Sequence, residues 1–173
     1  MPKKEATSVN RRTEIISAAI EVFAENGYYR ATTAHVAERA SISQPYVFRF
    51  FKTKEALLLS ALEVSWTRIT EAFRQVVAAS SSEQLESDLI RTYEKILEQH
   101  KNETLLQMQA QTIQEEAIQE AMRNGFREVR RIVLEAFEKA GMTDAKERTM
   151  LFLARGMLCN IGMALNMPEI MEV

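Results

Sequence analysis

From Arg12 the apolar positions Ile16, Ala19, Ile20 and Phe23 recur at the spacing of one helix face, and Asn26-Gly27 supplies a stop. Thr33 then stands where an N-cap opens a short helix bearing Val36, Ala37 and Ala40, with Ser41-Ile42-Ser43 as a tight connection. Ser43 can cap a third helix. Its first turn holds Gln44 and Pro45, where proline's missing N–H costs nothing, and Val47, Phe48 and Phe51 can point inward. Thr53 caps again, and a stripe of Leu58, Ala61, Leu62, Ser65, Trp66, Ile69 and Phe73 predicts a long helix to about Ala78.

After the small, polar residues 79–82, four more helices are expected. One covers 83–100 through Leu85, Leu89, Tyr93, Ile96 and Leu97, and Lys101-Asn102 interrupts it. A polar-rich helix follows through Leu105, Leu106, Met108 and Ile113. Next comes a longer one to Ala140 bearing Ile118, Met122, Phe126, Val129, Val133 and Phe137, kinked at Asn124-Gly125 and stopped by Gly141. The last spans 143–166 and is apolar nearly all round: Leu151, Ala154, Leu158, Ile161 and Leu165 on one face, Phe152, Met157, Cys159 and Met163 on others. Such a helix must be covered on several sides, and a second copy of the chain is the natural cover in a body this small. The same stretch approaches the length of a membrane span, but Arg155 and Asn160 in its middle favour a buried helix of a soluble protein.

Composition agrees with the pattern. With 173 residues, 46% of them hydrophobic, but only five Gly and three Pro, the chain is all-α: one compact body, with room for a small appended head. A single cysteine, Cys159, excludes an internal disulfide and reads as a small core hydrophobe; His35 and His100 leave too few ligands for zinc, so no metal or cofactor is expected. His100 with Glu103 reads as an exposed polar pair. Residues 1–12 are polar without an apolar signal core, which points to the cytoplasm. The net charge of −2 hides an asymmetry: residues 1–54 carry nine Lys/Arg against five Glu, and the remainder thirteen basic against nineteen acidic residues. A cationic head on an acidic body suits phosphate binding, and chance segregation of solvated charge is the alternative.

Two helices joined by a short turn, the second studded with Gln, Tyr and Arg, form a helix-turn-helix pattern. Gln44 can pair with an adenine edge, Pro45 and Tyr46 can pack on thymine methyls, and Arg49 can reach guanine or phosphate. Thr33 and Lys54 sit at helix starts that favour anions. Spacing alone leaves this reading level with ordinary caps on a small helical bundle.

Residues 12–62 resemble the head of the TetR family, through Ala19 and Phe23, Gly27-Tyr28, Thr32-Thr33 before Val36-Ala37, and Phe51 followed by Lys54-Glu55-Ala56-Leu57. The resemblance implies that Gln44, Pro45, Tyr46, Phe48, Arg49 and Phe50 line the major groove of double-stranded DNA, Phe48 more as packing than as a contact, with Thr33 and Lys54 on its backbone; Ser43, at the start of the same helix, is counted with the DNA-binding residues. Two positions depart from the family pattern: Ser41 replaces the usual turn glycine, and Phe48 the usual tyrosine. Lys3, Lys4, Arg11 and Arg12 form either a DNA-touching arm or a solvated terminus.

The implied division is a DNA-binding domain at 1–54 and a ligand-binding and dimerisation domain at 55–173. The expected pocket has apolar walls from Trp66, Ile69, Phe73, Tyr93, Met108, Met122 and Phe126 with Gln111 as a polar anchor, suiting a small apolar or aromatic inducer. The expected homodimer interface takes Phe126, Val133, Phe137, Leu151, Leu158, Ile161 and Leu165. No catalytic constellation can be assembled, so the reading is a regulator, a repressor released by its ligand, and not an enzyme. A protein-binding helical adaptor is the rival.

Overall fold

The computed structural model describes the backbone of residues 2–172 and the side chains of residues 10–172. These residues form eight α-helices and no strand: α1 (Pro2–Arg30), α2 (Thr33–Arg39), α3 (Gln44–Phe50), α4 (Lys54–Ala79), α5 (Leu85–Gln99), α6 (Lys101–Ala110), α7 (Glu116–Lys139) and α8 (Ala145–Leu165). A short 3-10 turn, Pro168–Met171, follows. The chain packs as two compact units, Met1–Val64 with Leu106–Met122, and Ser65–Leu105 with Arg123–Val173. This division by packing differs from the functional boundary expected after residue 54, because the start of α4 and the α6–α7 corner pack with the head.

In the first unit Ile16, Ala19, Phe23, Val36, Val47, Leu58 and Leu62 are buried, as their spacing requires, and so are Leu106, Ala110, Ile113 and Ile118 of the corner. The helix stop at Asn26-Gly27 is real: Gly27 has φ 71° and ψ 159°, outside helical geometry, and one further turn runs to Arg30. The cap of α2 is one residue earlier than expected. Thr32 takes extended backbone and its hydroxyl accepts from the His35 N–H at 3.2 Å, while Thr33 turns inward and is buried. Ser43 holds the N-cap position of α3 with no side-chain bond to the helix, and Thr53 Oγ1 accepts from Ala56 N–H at 3.0 Å. Ser41 adopts φ 54° itself, the left-handed backbone its usual glycine would take freely, at a cost of roughly 1–2 kcal/mol. Phe48, expected inward, is 39% exposed; Val47 and Phe51 alone anchor the helix.

The second unit closes around Ile69, Phe73, Leu89, Val133, Phe137 and Phe152. Phe152 meets both Phe73 and Phe137 edge-on, with ring centroids 5.6 and 6.4 Å apart. Ion pairs Arg148–Glu86 and Arg155–Glu94 tie α8 to α5. The kink expected at Asn124-Gly125 is absent, since α7 runs as one helix; Gly125 is small for a different reason, because the Trp66 indole lies against it. Among the described residues no helix is long and apolar enough to cross a membrane.

Candidate DNA-reading site

A two-turn helix can present an outward face only if something anchors its inner one. In α3 that anchor is Val47, fully buried, while Ser43, Pro45, Phe48 and Arg49 are exposed and Gln44, Tyr46 and Phe50 half-buried. The aromatic pair is pre-arranged: Tyr46 and Phe50 meet edge-on at 5.5 Å, and the Arg49 guanidinium lies 5.3 Å over the Tyr46 ring. Gln44 is also fixed, its Nε2 donating to the Thr33 hydroxyl at 2.8 Å. That bond leaves the amide oxygen and a second N–H of Gln44 outside this contact, and those are the atoms that read an adenine.

The neighbouring cations are more engaged than their sequence positions suggested. The Lys54 ammonium donates to the carbonyls of Tyr28 (2.8 Å) and Ala31 (3.2 Å) and sits 4.4 Å over the Tyr28 ring, leaving one of its three N–H groups for a phosphate. Burial pushes the Tyr28 hydroxyl's pKa up. Arg39 clamps Glu21 (2.7 Å) and Glu25 (2.6 Å), pinning α2 to α1; its hydrogen bond holds the Glu25 carboxyl below the usual carboxylate range. Of the expected arm, Arg12 is folded back onto the head, donating to Ser60 Oγ at 3.1 Å and lying 5.1 Å over Phe51. Arg11 pairs with Glu14, and the side chains of Lys3 and Lys4 lie outside the described residues. Thr32, not singled out from the sequence, is the threonine exposed at the N-terminus of α2; the tandem Thr32-Thr33 contained it, but pattern alone could not say which threonine faces out.

The residues expected to line a ligand pocket are divided between the two packing units. Trp66, Ile69, Phe73, Tyr93 and Phe126 belong to the second unit, where Trp66 and Phe126 pack edge-on at 5.0 Å and Phe73 meets Tyr93 at 6.2 Å. Met108, Gln111 and Met122 belong to the first, and Gln111 stands exposed in the turn after α6 rather than anchoring a wall. Tyr93 donates to Asn160 Oδ1 at 2.8 Å, and burial pushes its pKa up to about 12. It borders a cavity of only about 10 Å³ with Phe152, Gly156 and Cys159, the size of one water. The Trp66 Nε1–H is buried without an acceptor.

The expected dimer face also divides. Val133 and Phe137 are fully buried in the second unit's own core, so they are not available to a partner, and Phe126 is half-buried against Trp66. Leu151, Leu158, Ile161 and Leu165 are exposed along one side of α8, with Leu151 and Leu165 55% and 66% accessible.

Residues 15–61 match the family model of bacterial regulatory proteins, tetR family. Among curated proteins, the fatty acid metabolism regulator protein of Bacillus subtilis is 32% identical over 62 residues, covering 36% of this chain and 32% of that protein. The HTH-type transcriptional activator FasR of Mycolicibacterium smegmatis is 31% identical over 71 residues, 41% of this chain and 32% of its own length. These matches span about a third of the length of those relatives. Agreement in fold extends much further. The transcriptional regulator FadR of Bacillus subtilis, solved in complex with stearoyl-CoA, superposes with a TM-score of 0.77 at 17% identity, over 90% of this chain and 89% of that one. FadR of Bacillus halodurans does so at 0.76 and 19% identity, over 91% and 92%. The head of the chain, residues 15–61, thus matches the tetR family model, and the fold over most of the chain is that of the two FadR structures.

Proposed function

We propose that the chain is a cytoplasmic, DNA-binding transcriptional regulator, a repressor that holds a palindromic operator as a homodimer and leaves it on binding a small apolar ligand. The observation that carries the DNA reading is the outward face of α3: Gln44, Pro45, Tyr46, Arg49 and Phe50 stand together on a helix anchored by Val47, with Gln44 fixed by Thr33 and Lys54 at the start of the next helix. In this reading residues 1–54 read DNA and 55–173 bind ligand and partner. The dimer reading rests on the stripe Leu151, Leu158, Ile161 and Leu165, whose apolar side chains are left partly exposed to water in one chain.

A long acyl-CoA is the ligand class to try first, because FadR of similar fold was solved with stearoyl-CoA. Its apolar tail suits the aromatic interior around Trp66 and Phe126. Since the cavity beside Tyr93 holds about one water, a ligand entering there would have to displace packed side chains.

The test is selection of DNA from a random pool with the full chain, followed by titration of the recovered sequence at several salt concentrations. A two-fold-symmetric site with half-sites about one helical turn apart is expected. Gln44→Ala should weaken cognate binding by roughly 1–3 kcal/mol while leaving random DNA nearly untouched. Equal affinity for cognate and random DNA in the unaltered chain refutes the reading. A promoter fusion decides between repression and activation, a live choice because FasR is named an activator.

A further inference from the structure

We infer that the corner between α6 and α7 is a second grip on the DNA head, in which Gln109 and Glu115 act as positioning residues on the end of α1. The inference rests on the proposal that the head reads DNA, and it concerns what fixes that head's geometry.

A helix broken by glycine leaves the carbonyls of its last turn short of intrahelical donors. Gly27 breaks α1 in this way, and two outside groups attend to its end. Lys54 serves the Tyr28 and Ala31 carbonyls from α4. The Gln109 amide, from α6, donates to the Ala24 carbonyl at 2.8 Å across 85 residues of sequence. Beside it, the Tyr29 hydroxyl donates to Glu115 Oε2 at 3.2 Å. The end of α1 is therefore held from both sides, and it leads through Ala31 directly to the Thr32 cap of α2. Whatever moves residues 24–31 moves the entry to the helix-turn-helix.

The corner is rigid enough to act as a grip. Thr112 N–H and its hydroxyl both donate to the Gln109 carbonyl, Ile113 N–H donates to Ala110, and Leu106, Ala110, Ile113 and Ile118 are buried beneath. It is also a grip that can be released. Gln109 Oε1 is buried and accepts no hydrogen bond, so the amide is held on one side only and its burial penalty offsets part of what the Ala24 bond contributes. Helix α6 further contributes residues to both packing units, with Glu103 receiving Arg68 through two contacts at 2.9 and 3.1 Å. A shift along α6 would carry Gln109 with it.

Two measurements on the full chain decide the matter. In Gln109→Leu, which removes the donor and the orphaned acceptor together, amides of Tyr28–Ala31 and of α2 should exchange about tenfold faster, while Leu57–Leu62 stay protected. Gln109→Leu and Glu115→Gln together should weaken the selected operator by about three- to tenfold, leave random-DNA binding within twofold, and shrink the response to added stearoyl-CoA. Unchanged exchange, or cognate and random binding lost in equal measure, overturns the grip. If the unaltered chain shows no sequence-selective binding, the functional proposal falls, and the exchange measurement still decides whether Gln109 holds α1. Should stearoyl-CoA leave the unaltered chain on DNA, the comparison of cognate with random DNA decides alone.

Discussion

Replacing a glycine by alanine in the middle of a helix ordinarily stabilises a protein by about 0.5–1 kcal/mol, since glycine has more backbone freedom to lose on folding. At Gly125 the structure predicts the opposite. A methyl group there would lie 2.5 Å from the Trp66 indole nitrogen and closer still to the ring carbons Cδ2 and Cε2. The obstacle is a rigid double ring wedged edge-on against Phe126, with no flexible end to swing aside. Overpacking of this kind costs about 1–3 kcal/mol, so the net effect of Gly125→Ala should be a loss of about 1–2 kcal/mol. For a chain of this length each kcal/mol moves Tm by about 2–4 °C, giving a fall of roughly 2–8 °C at fixed protein concentration. The same change made in a Trp66→Ala background meets no ring and should instead raise Tm, so a double-mutant cycle in thermal or urea unfolding should show a coupling of about 2 kcal/mol. A higher Tm for Gly125→Ala in the otherwise unaltered protein would refute the close-approach argument, because propensity alone would then govern the site.

Trp66→Phe removes an indole N–H that has no acceptor, offsetting about 1–3 kcal/mol of desolvation against about 1 kcal/mol of lost apolar area. Urea unfolding should find the variant as stable as the parent or more so, and a loss above about 2 kcal/mol would mean the N–H is satisfied. Leu158→Arg places a charge in the exposed α8 stripe; sedimentation should show monomers where the parent is dimeric, and an unchanged dimer would put the interface elsewhere. The guanidiniums of Arg131 and then Arg74 hold the Glu128 carboxyl down to about 2. Its contribution is thus present above the unfolded value of about 4.3 and fades as pH falls toward 2, so the Tm deficit of Glu128→Gln should shrink on acidification from neutrality, and a pH-independent deficit would contradict the pairing.

The fold was legible because its helices are written in one period. Val36, Val47, Leu58, Leu62, Phe73 and Phe137 are each buried where helical spacing placed them, and Gly27 stops α1 where Asn26-Gly27 announced it. What failed was anything turning on a single residue's direction. Thr32 and Thr33 are chemically identical as caps, and only the packing of α2 on α1 decides which one faces out. Phe48 and Phe51 are both apolar, yet with only two turns in α3 and Val47 already filling its inner face, one aromatic had to stand outside.

The same limit explains the ligand and dimer candidates. A stripe such as Val129, Val133 and Phe137 is written identically whether it meets its own chain or another copy, because burial removes apolar area from water at the same rate in both. The structure separates them by supply: α4, α5 and α8 already cover Val133 and Phe137, leaving nothing for a partner, whereas the Leu151 to Leu165 stripe is only partly covered by the described residues. Lys54 shows the complementary limit for charge. Its place at a helix start reads as a phosphate site, but the break at Gly27 creates carbonyls that need a donor nearer than any DNA, and the ammonium answers them first. In the proposed reading, a cation committed in this way would act on DNA mainly by fixing the end of α1. On that proposal the side chains that contact operator and those that orient the head would partly coincide, and a loss of affinity in a Lys54 variant would have to be divided by its salt dependence before either role is assigned.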